Sequence, residues 1–271
     1  MPTPWGTGGL AGATGSAAEA GGAPRALIAG LGLIGGSIGI ALRRRGWRVA
    51  FFDSDPDLVP GDAADERVQS LDVSADVVIL ATPVDVAVTL LASTHAPLIT
   101  SVCSVMAPLR AIAGDHFVAG HPLAGSQEHG LAAARADLFR GATWFIDRDN
   151  AVVREVITAC DAHAELVDAG EHDRAVALAS HLPQILSTAL AAYLHDQNVD
   201  LRFAGPGLRT FLRLAGSEAS VWSPILAANR ENLGPHVEGI AQMVKEIVEG
   251  EPGEAFAKAN ELFAAALPSL R

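Results

Sequence analysis

The chain has 271 residues, 49% of them hydrophobic, and a formal net charge of −12. That length supports one large core or two modest ones. The acidic balance argues against a nucleic-acid surface and against anionic membranes. Two cysteines, Cys103 and Cys160, have no metal-type spacing and fit a reducing cytoplasm better than a disulfide scaffold. No metal site is expected, and no apolar run reads as long enough to span a bilayer.

Residues 1–23 are rich in Gly, Ala, Thr and Ser, show no periodicity, and read as a flexible tail. Residues 26–35, Ala-Leu-Ile-Ala-Gly-Leu-Gly-Leu-Ile-Gly, then give a short apolar strand followed by G-x-G-x-x-G. Gly30 permits a tight strand-to-helix turn and Gly32 lets a pyrophosphate approach the backbone. Gly35 lets the helix pack close to the strand. A helix is expected over residues 37–45, its N-terminal amides facing the phosphates, with Leu33 and Ile34 as cofactor-binding residues of the loop before it. A second strand, 48–52, ends at Asp53. A carboxylate there accepts hydrogen bonds from ribose hydroxyls and repels a 2′-phosphate, and no Arg follows it in sequence, so NAD is expected over NADP. The competing reading is that Asp53 only caps the turn Asp53-Ser54-Asp55-Pro56.

Further strands are expected at 77–81, 98–102, 117–119, 143–146 and 165–167, alternating with helices. This is the signature of an α/β, Rossmann-like, mainly parallel sheet over residues 24–170. Thr82 and Pro83, just beyond a strand end, are expected to line the cofactor cleft, as are the residues from Ser101 onward. Residues 171–271 carry long Ala/Leu-rich stretches at helical spacing, roughly 173–195, 223–249 and 252–267, with no strand signal. They read as an all-α domain, whose apolar helices are most simply buried against a second copy, giving a homodimer.

Three segments could carry chemistry. Gly120-His121-Pro122-Leu123-Ala124-Gly125 holds a histidine between glycines, stiffened by proline. Such a residue accepts a proton near neutral pH, or else is a structural turn histidine. Ser180-His181-Leu182-Pro183 places a histidine beside a proline that must kink its helix, which suggests a shaped pocket. Arg213 offers a planar fork matched to a carboxylate, with Arg209 one turn earlier; by default both are solvated helix arginines.

Together these pieces resemble the prephenate/arogenate dehydrogenases of tyrosine biosynthesis. The resemblance covers residues 25–271. It is carried by the glycine loop, by Gly120-His-Pro-Leu-Ala-Gly125 with Gly130, Leu138-Phe139 and Trp144, and by Glu171-His172-Asp173 before Ser180-His181-Leu182-Pro183. Arg213-Leu-Ala-Gly-Ser217, with Trp222 and Asn229, completes it. The resemblance implies that His121 bonds the ring hydroxyl of the substrate and that Ser104 helps orient it. It also implies that His181 contacts substrate and that Arg213 binds a substrate carboxylate. The implied reaction is NAD-dependent oxidative decarboxylation of prephenate, with arogenate as the close alternative.

The chain departs from the family pattern at several positions. The usual Asp and Lys around the serine are replaced by Ser101 and Met106. Gln127 stands where Glu is frequent, Gln184 where His is common, and Leu212 replaces Thr. Two other classes remain at this point. One is a β-hydroxyacid-type dehydrogenase, which would need a catalytic lysine such as Lys245 or Lys258. The other is a dinucleotide-sensing dimer without chemistry.

Overall fold

A computed structural model describes residues 22–125 and 128–266. The tail expectation for residues 1–21 and the departure at Gln127 lie outside the described residues. The order is β1 (Arg25–Ala29), α1 (Leu33–Arg44), β2 (Arg48–Phe52), β3 (Glu66–Arg67), β4 (Val77–Leu80), α2 (Val84–Ser93), β5 (Ile99–Ser101), α3 (Ala107–Ile112), β6 (Phe117–Val118) and β7 (Gly120–Pro122). Then come β8 (Thr143–Ile146), α4 (Ala151–Ala159), β9 (His163–Leu166), α5 (Ala169–Val176), α6 (Leu182–Asp196), α7 (Pro206–Leu212), α8 (Ala219–Ala228), α9 (Arg230–Glu249) and α10 (Gly253–Ala266).

Six strands form a parallel sheet in the order β3-β2-β1-β4-β5-β6. Its central strands are apolar on both faces, as helices on both sides require; Ala26–Ala29 and Val77–Leu80 are buried throughout. α1 starts at Leu33, directly inside the glycine motif, rather than near residue 37. Gly39 lets it lie against the turn at Gly61–Ala63, because a Cβ there would sit 2.1 Å from Ala63 O.

The runs at 143–146 and 165–167 do not extend this sheet. β7, β8 and β9 make a separate three-stranded sheet, in which β7 pairs antiparallel with β8 and β9 parallel with it. Asp147 joins the two sheets. Its carboxylate accepts from Ala119 N–H at 2.9 Å and from Arg110 Nε at 2.5 Å, and its own N–H donates to Ala119 O at 3.1 Å. His121 therefore stands within a strand, opposite Phe145, rather than in a loop after one.

The helical half begins with a single 28-residue run, Ala169–Asp196. By length and composition this run could cross a bilayer, which corrects the expectation that none could. It also carries the buried polar residues His172, Asp173, His181, Gln184 and Ser187, which make the run a spine of the fold. Between α5 and α6 lies one π-helical turn, Ala177–His181, immediately before Pro183. Proline cannot donate to the carbonyl four residues back, and the wider turn absorbs that gap. The stretch near 223–249 is two helices, divided at Asn229. The short helix α7, β3 and several single turns have no periodicity long enough to have announced them.

Candidate active site

A cleft of about 480 Å³ opens where the glycine loop, the ends of β4 and β5, the segment after β7 and the start of α8 meet. Gly32, Leu33, Ile34, Thr82, Pro83 and Ser104 line it, so the structure brings these expected residues together. Gly130, Ser217 and Trp222 close the far side. Among the described residues no group of three or more His, Cys, Asp or Glu is placed to hold a metal.

The cleft fits a dinucleotide on its own geometry. Gly30 has φ +89°, and a Cβ there would lie 2.7 Å from Ala81 O. A Cβ on Gly35 would lie 2.0 Å from Gly30 O, so the helix–strand approach needs glycine. At Gly32 a Cβ would meet nothing within 4 Å, which leaves the approach to the backbone open. No side chain caps the start of α1, and its first amides are the natural partners of phosphate. The Thr82 hydroxyl is buried without a hydrogen-bond partner beside the same opening.

Asp53 caps its turn, as the competing reading has it, and also ties that turn to the glycine loop. Its Oδ2 accepts from Leu31 N–H at 2.8 Å within the glycine loop, and its Oδ1 accepts from Asp55 N–H at 3.0 Å in the turn. One arginine does reach this loop from outside the local sequence. Arg67 of β3 donates to the carbonyls of Asp53, Asp55 and Leu58 at 2.8–3.1 Å and stacks on Phe51. With these carbonyls as its partners it braces the loop.

The polar centre lies between β7 and the helical spine. Gly120 lets β7 pass here, since a Cβ would fall 2.8 Å from Ser101 O. His121 Nδ1 is 2.9 Å from His172 Nε2, and His172 Nδ1 is 2.8 Å from Asp173 Oδ1. Asp173 is 1% exposed and also accepts from the N–H groups of Met106 and Ala107, each at 2.8 Å. Deeper in, Asn229 Nδ2 donates to Asp173 O at 2.8 Å and faces His181 Nδ1 at 3.1 Å, while Asn229 Oδ1 accepts from Asn232 at 2.7 Å. The Asp173 carbonyl can only accept, which orients the amide, so His181 accepts at Nδ1 and carries its proton on Nε2. The His181 Nε2–H is buried with no partner, a donor suited to an anion. His181 stands edge-on to Trp222, with ring centroids 5.8 Å apart.

Burial pushes His121 down to about 3, with smaller contributions from His172 and His181. Burial also pushes His181 down to about 4, opposed by Asp173 and reinforced by His172. Both rings are therefore neutral at pH 7. Cys103 and Cys160 are free thiols pushed up to about 12 by burial.

Arg213 is not gathered into the cleft wall. It is exposed at the head of the turn Arg213–Gly216, four residues before Ser217, which does line the cleft. Arg209 is also exposed and donates to Ala204 O at 3.2 Å. Gln184 is buried and ties the Arg213 turn to α6. Its Nε2 donates to Leu214 O at 2.8 Å, and its Oε1 accepts from Ser217 Oγ at 3.3 Å. Lys245 and Lys258 are exposed on α9 and α10, away from the cleft, and Lys258 pairs with Glu254 at 2.6 Å. The reading that needs a catalytic lysine therefore loses its candidates. His172, Asp173 and Asn229 were visible in sequence only as marks of a resemblance; their contacts to His121 and His181 are tertiary.

Models of two domain families match the chain: prephenate dehydrogenase, nucleotide-binding domain, over residues 38–162, and prephenate dehydrogenase, dimerization domain, over residues 168–259. The chain belongs to the prephenate dehydrogenase family. It is 28% identical to prephenate dehydrogenase of Lactococcus lactis, over 90% of this chain and 79% of that one. It is 32% identical to prephenate dehydrogenase of Bacillus subtilis, over 76% of this chain and 64% of that one. The crystal structure of prephenate dehydrogenase from A. aeolicus, in complex with hydroxyphenyl propionate and NAD+, matches with a TM-score of 0.80 at 26% identity. That match covers 92% of this chain and 99% of the other. As a member of this family the chain is an oxidoreductase with a Rossmann-like nucleotide-binding domain followed by a helical domain.

The two depressed histidines make stability pH-dependent. Unfolded, each takes up a proton near pH 6.5; folded, His181 does so near 4 and His121 near 3. Between those values the unfolded chain binds more protons, so stability falls as pH drops from 6.5 toward 3. Each histidine contributes a slope of up to about 1.4 kcal/mol per pH unit. Urea midpoints measured from pH 7 to pH 4.5 should fall steadily in the wild type and less steeply in His181→Asn. An equal slope in the two proteins would contradict the assignment.

Proposed function

We infer that this protein is an NAD-dependent prephenate dehydrogenase, converting prephenate to 4-hydroxyphenylpyruvate and CO2. The observation that carries the reading is His121, bonded through Nδ1 to His172 at 2.9 Å, on the strand whose following residues Gly125, His129 and Gly130 wall the cleft. The named relatives and the NAD+ complex of the A. aeolicus enzyme support it.

The glycine loop and the start of α1 would hold the pyrophosphate, Asp53 the adenosine ribose, and Thr82 and Pro83 the floor of the cleft. NAD bound there supplies the hydride acceptor. His121 accepts the proton of the ring hydroxyl, with Ser104 orienting that hydroxyl, as the C–H electron pair leaves the same carbon. The bond to the ring carboxylate then breaks, CO2 departs, its electron pair completes the aromatic ring, and the resulting phenolate takes back the proton held by His121. Aromatisation supplies the drive, so alignment and proton removal are the protein's tasks. The buried His181 Nε2–H and the Arg213 fork would receive the substrate carboxylates.

NADH formation should follow addition of prephenate and NAD. His121→Asn should lower kcat by about 10²–10⁴, the usual worth of a general base, with NAD affinity nearly unchanged. Full turnover in that variant would refute the base assignment.

Arg213 is tested against its neighbour. Arg213→Lys keeps the charge and loses the fork, and should raise KM for prephenate at least tenfold with little change for NAD. If instead Arg209→Ala impairs prephenate binding and Arg213→Lys does not, the carboxylate belongs to Arg209.

The helical half, residues 171–271, is proposed to form a homodimer. Leu201, Phe203, Val248, Phe256, Leu262 and Phe263 are all at least 59% exposed in the single chain, an area of apolar surface that a second copy would cover. Sedimentation should show a dimer at micromolar concentration, and a stable active monomer would exclude this.

A further inference from the structure

We propose that His172 and Asp173 form a buried positioning chain that fixes the tautomer of His121 and shares the charge His121 gains when it accepts a proton. The proposal deepens the reading of His121 as the proton acceptor and rests on it.

The geometry leaves little freedom. Asp173 is buried and its Oδ2 accepts from Ala107 N–H, while its Oδ1 accepts from Met106 N–H. Both of its oxygens thus act as acceptors of backbone N–H groups. Oδ1 also lies 2.8 Å from His172 Nδ1, and a carboxylate oxygen can only accept, so the proton of His172 sits on Nδ1. Its Nε2 is then a lone pair. That lone pair is 2.9 Å from His121 Nδ1, which must therefore donate. Nε2 of His121 is left as the acceptor, the atom that general-base chemistry needs. Flipping the His121 tautomer would set two lone pairs against each other at 2.9 Å.

The same chain can carry charge. When His121 takes a proton at Nε2, its Nδ1–H bond to His172 becomes charge-assisted. Transfer of the Nδ1 proton to His172 Nε2 would place the positive charge on the ring next to the Asp173 carboxylate, with no net change in protons. Phe145 stands edge-on to His172 with centroids 5.5 Å apart and holds the ring in this orientation. The titratable neighbours of His121 are His172 and His181, with Asp173 beyond His172.

The first test does not depend on turnover. In the full chain labelled with ¹⁵N-histidine, the His121 signals are assigned by their loss in His121→Asn. They should show the Nδ1–H tautomer in the wild type. An Nε2–H tautomer overturns the proposal whether or not prephenate is the substrate. A chain that turns over no prephenate yet shows Nδ1–H would overturn only the functional reading.

The second test compares two variants. His172→Leu removes the acceptor and should lower kcat at least 10²-fold, with NAD affinity and KM for prephenate within threefold of wild type. His172→Gln offers a carboxamide oxygen at similar reach and should restore both the Nδ1–H signature and part of the lost kcat. A leucine variant that keeps the tautomer and the full kcat, or a glutamine variant that is folded by its NAD affinity yet no better than leucine, overturns the proposal.

Discussion

A single buried carboxylate organises this molecule. Asp173 belongs to the first helix of the all-α half, but the backbone donors that satisfy it are the amides of Met106 and Ala107 at the start of α3 in the nucleotide-binding half. Removing a carboxylate from water costs several kcal/mol unless its lone pairs are filled. Here Oδ1 meets both a backbone amide and His172, and Oδ2 meets a second amide. The Asp173 carbonyl is bonded by Asn229 at the junction of α8 and α9. One residue thus links the parallel sheet domain, the helical spine and the last helices, and each link also positions a histidine. The carboxylate that joins the domains is also the one that orients His172, and His172 meets His121 across the domain boundary, so relative movement of the two halves would disturb the tautomer of His121 as well as the cleft.

Much of this was legible in the sequence, because it follows from local rules. The glycine loop needs its spacing whatever the rest of the chain does, and the absent Cβ atoms at Gly30 and Gly35 are where the backbone closes on itself. Pro183 announced a break in its helix, and a π turn sits just before it. The second sheet was not legible. The strands at 143–146 and 165–167 have the same apolar character as those of the main sheet, and nothing local says which edge they join. Arg67 was missed for a similar reason. Fourteen residues separate it from Asp53, and only the pairing of β2 with β3 brings it under the loop.

The roles of His172 and Asn229 lie beyond sequence reasoning of this kind. Both were noticed as marks of a family, yet what they do depends on which nitrogen of a neighbouring ring holds a proton. That is decided by a chain of donors and acceptors crossing from one domain to the other. Asn229 and Asp173 act on the two histidines in opposite ways. Through Asn229, His181 is set as a donor at Nε2; through His172, His121 is set as an acceptor at Nε2. A site with one ring ready to give and one ready to take suits a substrate that brings both an anionic group and an acidic hydroxyl.

The net charge of −12 gives the remaining constraint its sense. A dianionic substrate is disfavoured by the average field of an acidic protein, so binding must come from short-range donors with fixed directions. In the proposed function His181 would supply one without carrying charge, since burial keeps it neutral at pH 7. In the proposed function Arg213 would supply the other kind, and its placement depends on a residue that departs from the family pattern. Gln184 stands where a histidine is common, and it clamps the Arg213 turn with its donor on Leu214 O and its acceptor on Ser217 Oγ. A carboxamide presents both functions at every pH, whereas an imidazole would present them only as its neutral form. The substitution therefore leaves the carrier of the arginine fixed under acid conditions that would charge a histidine, and the departure is absorbed by the chemistry of the side chain that replaced it.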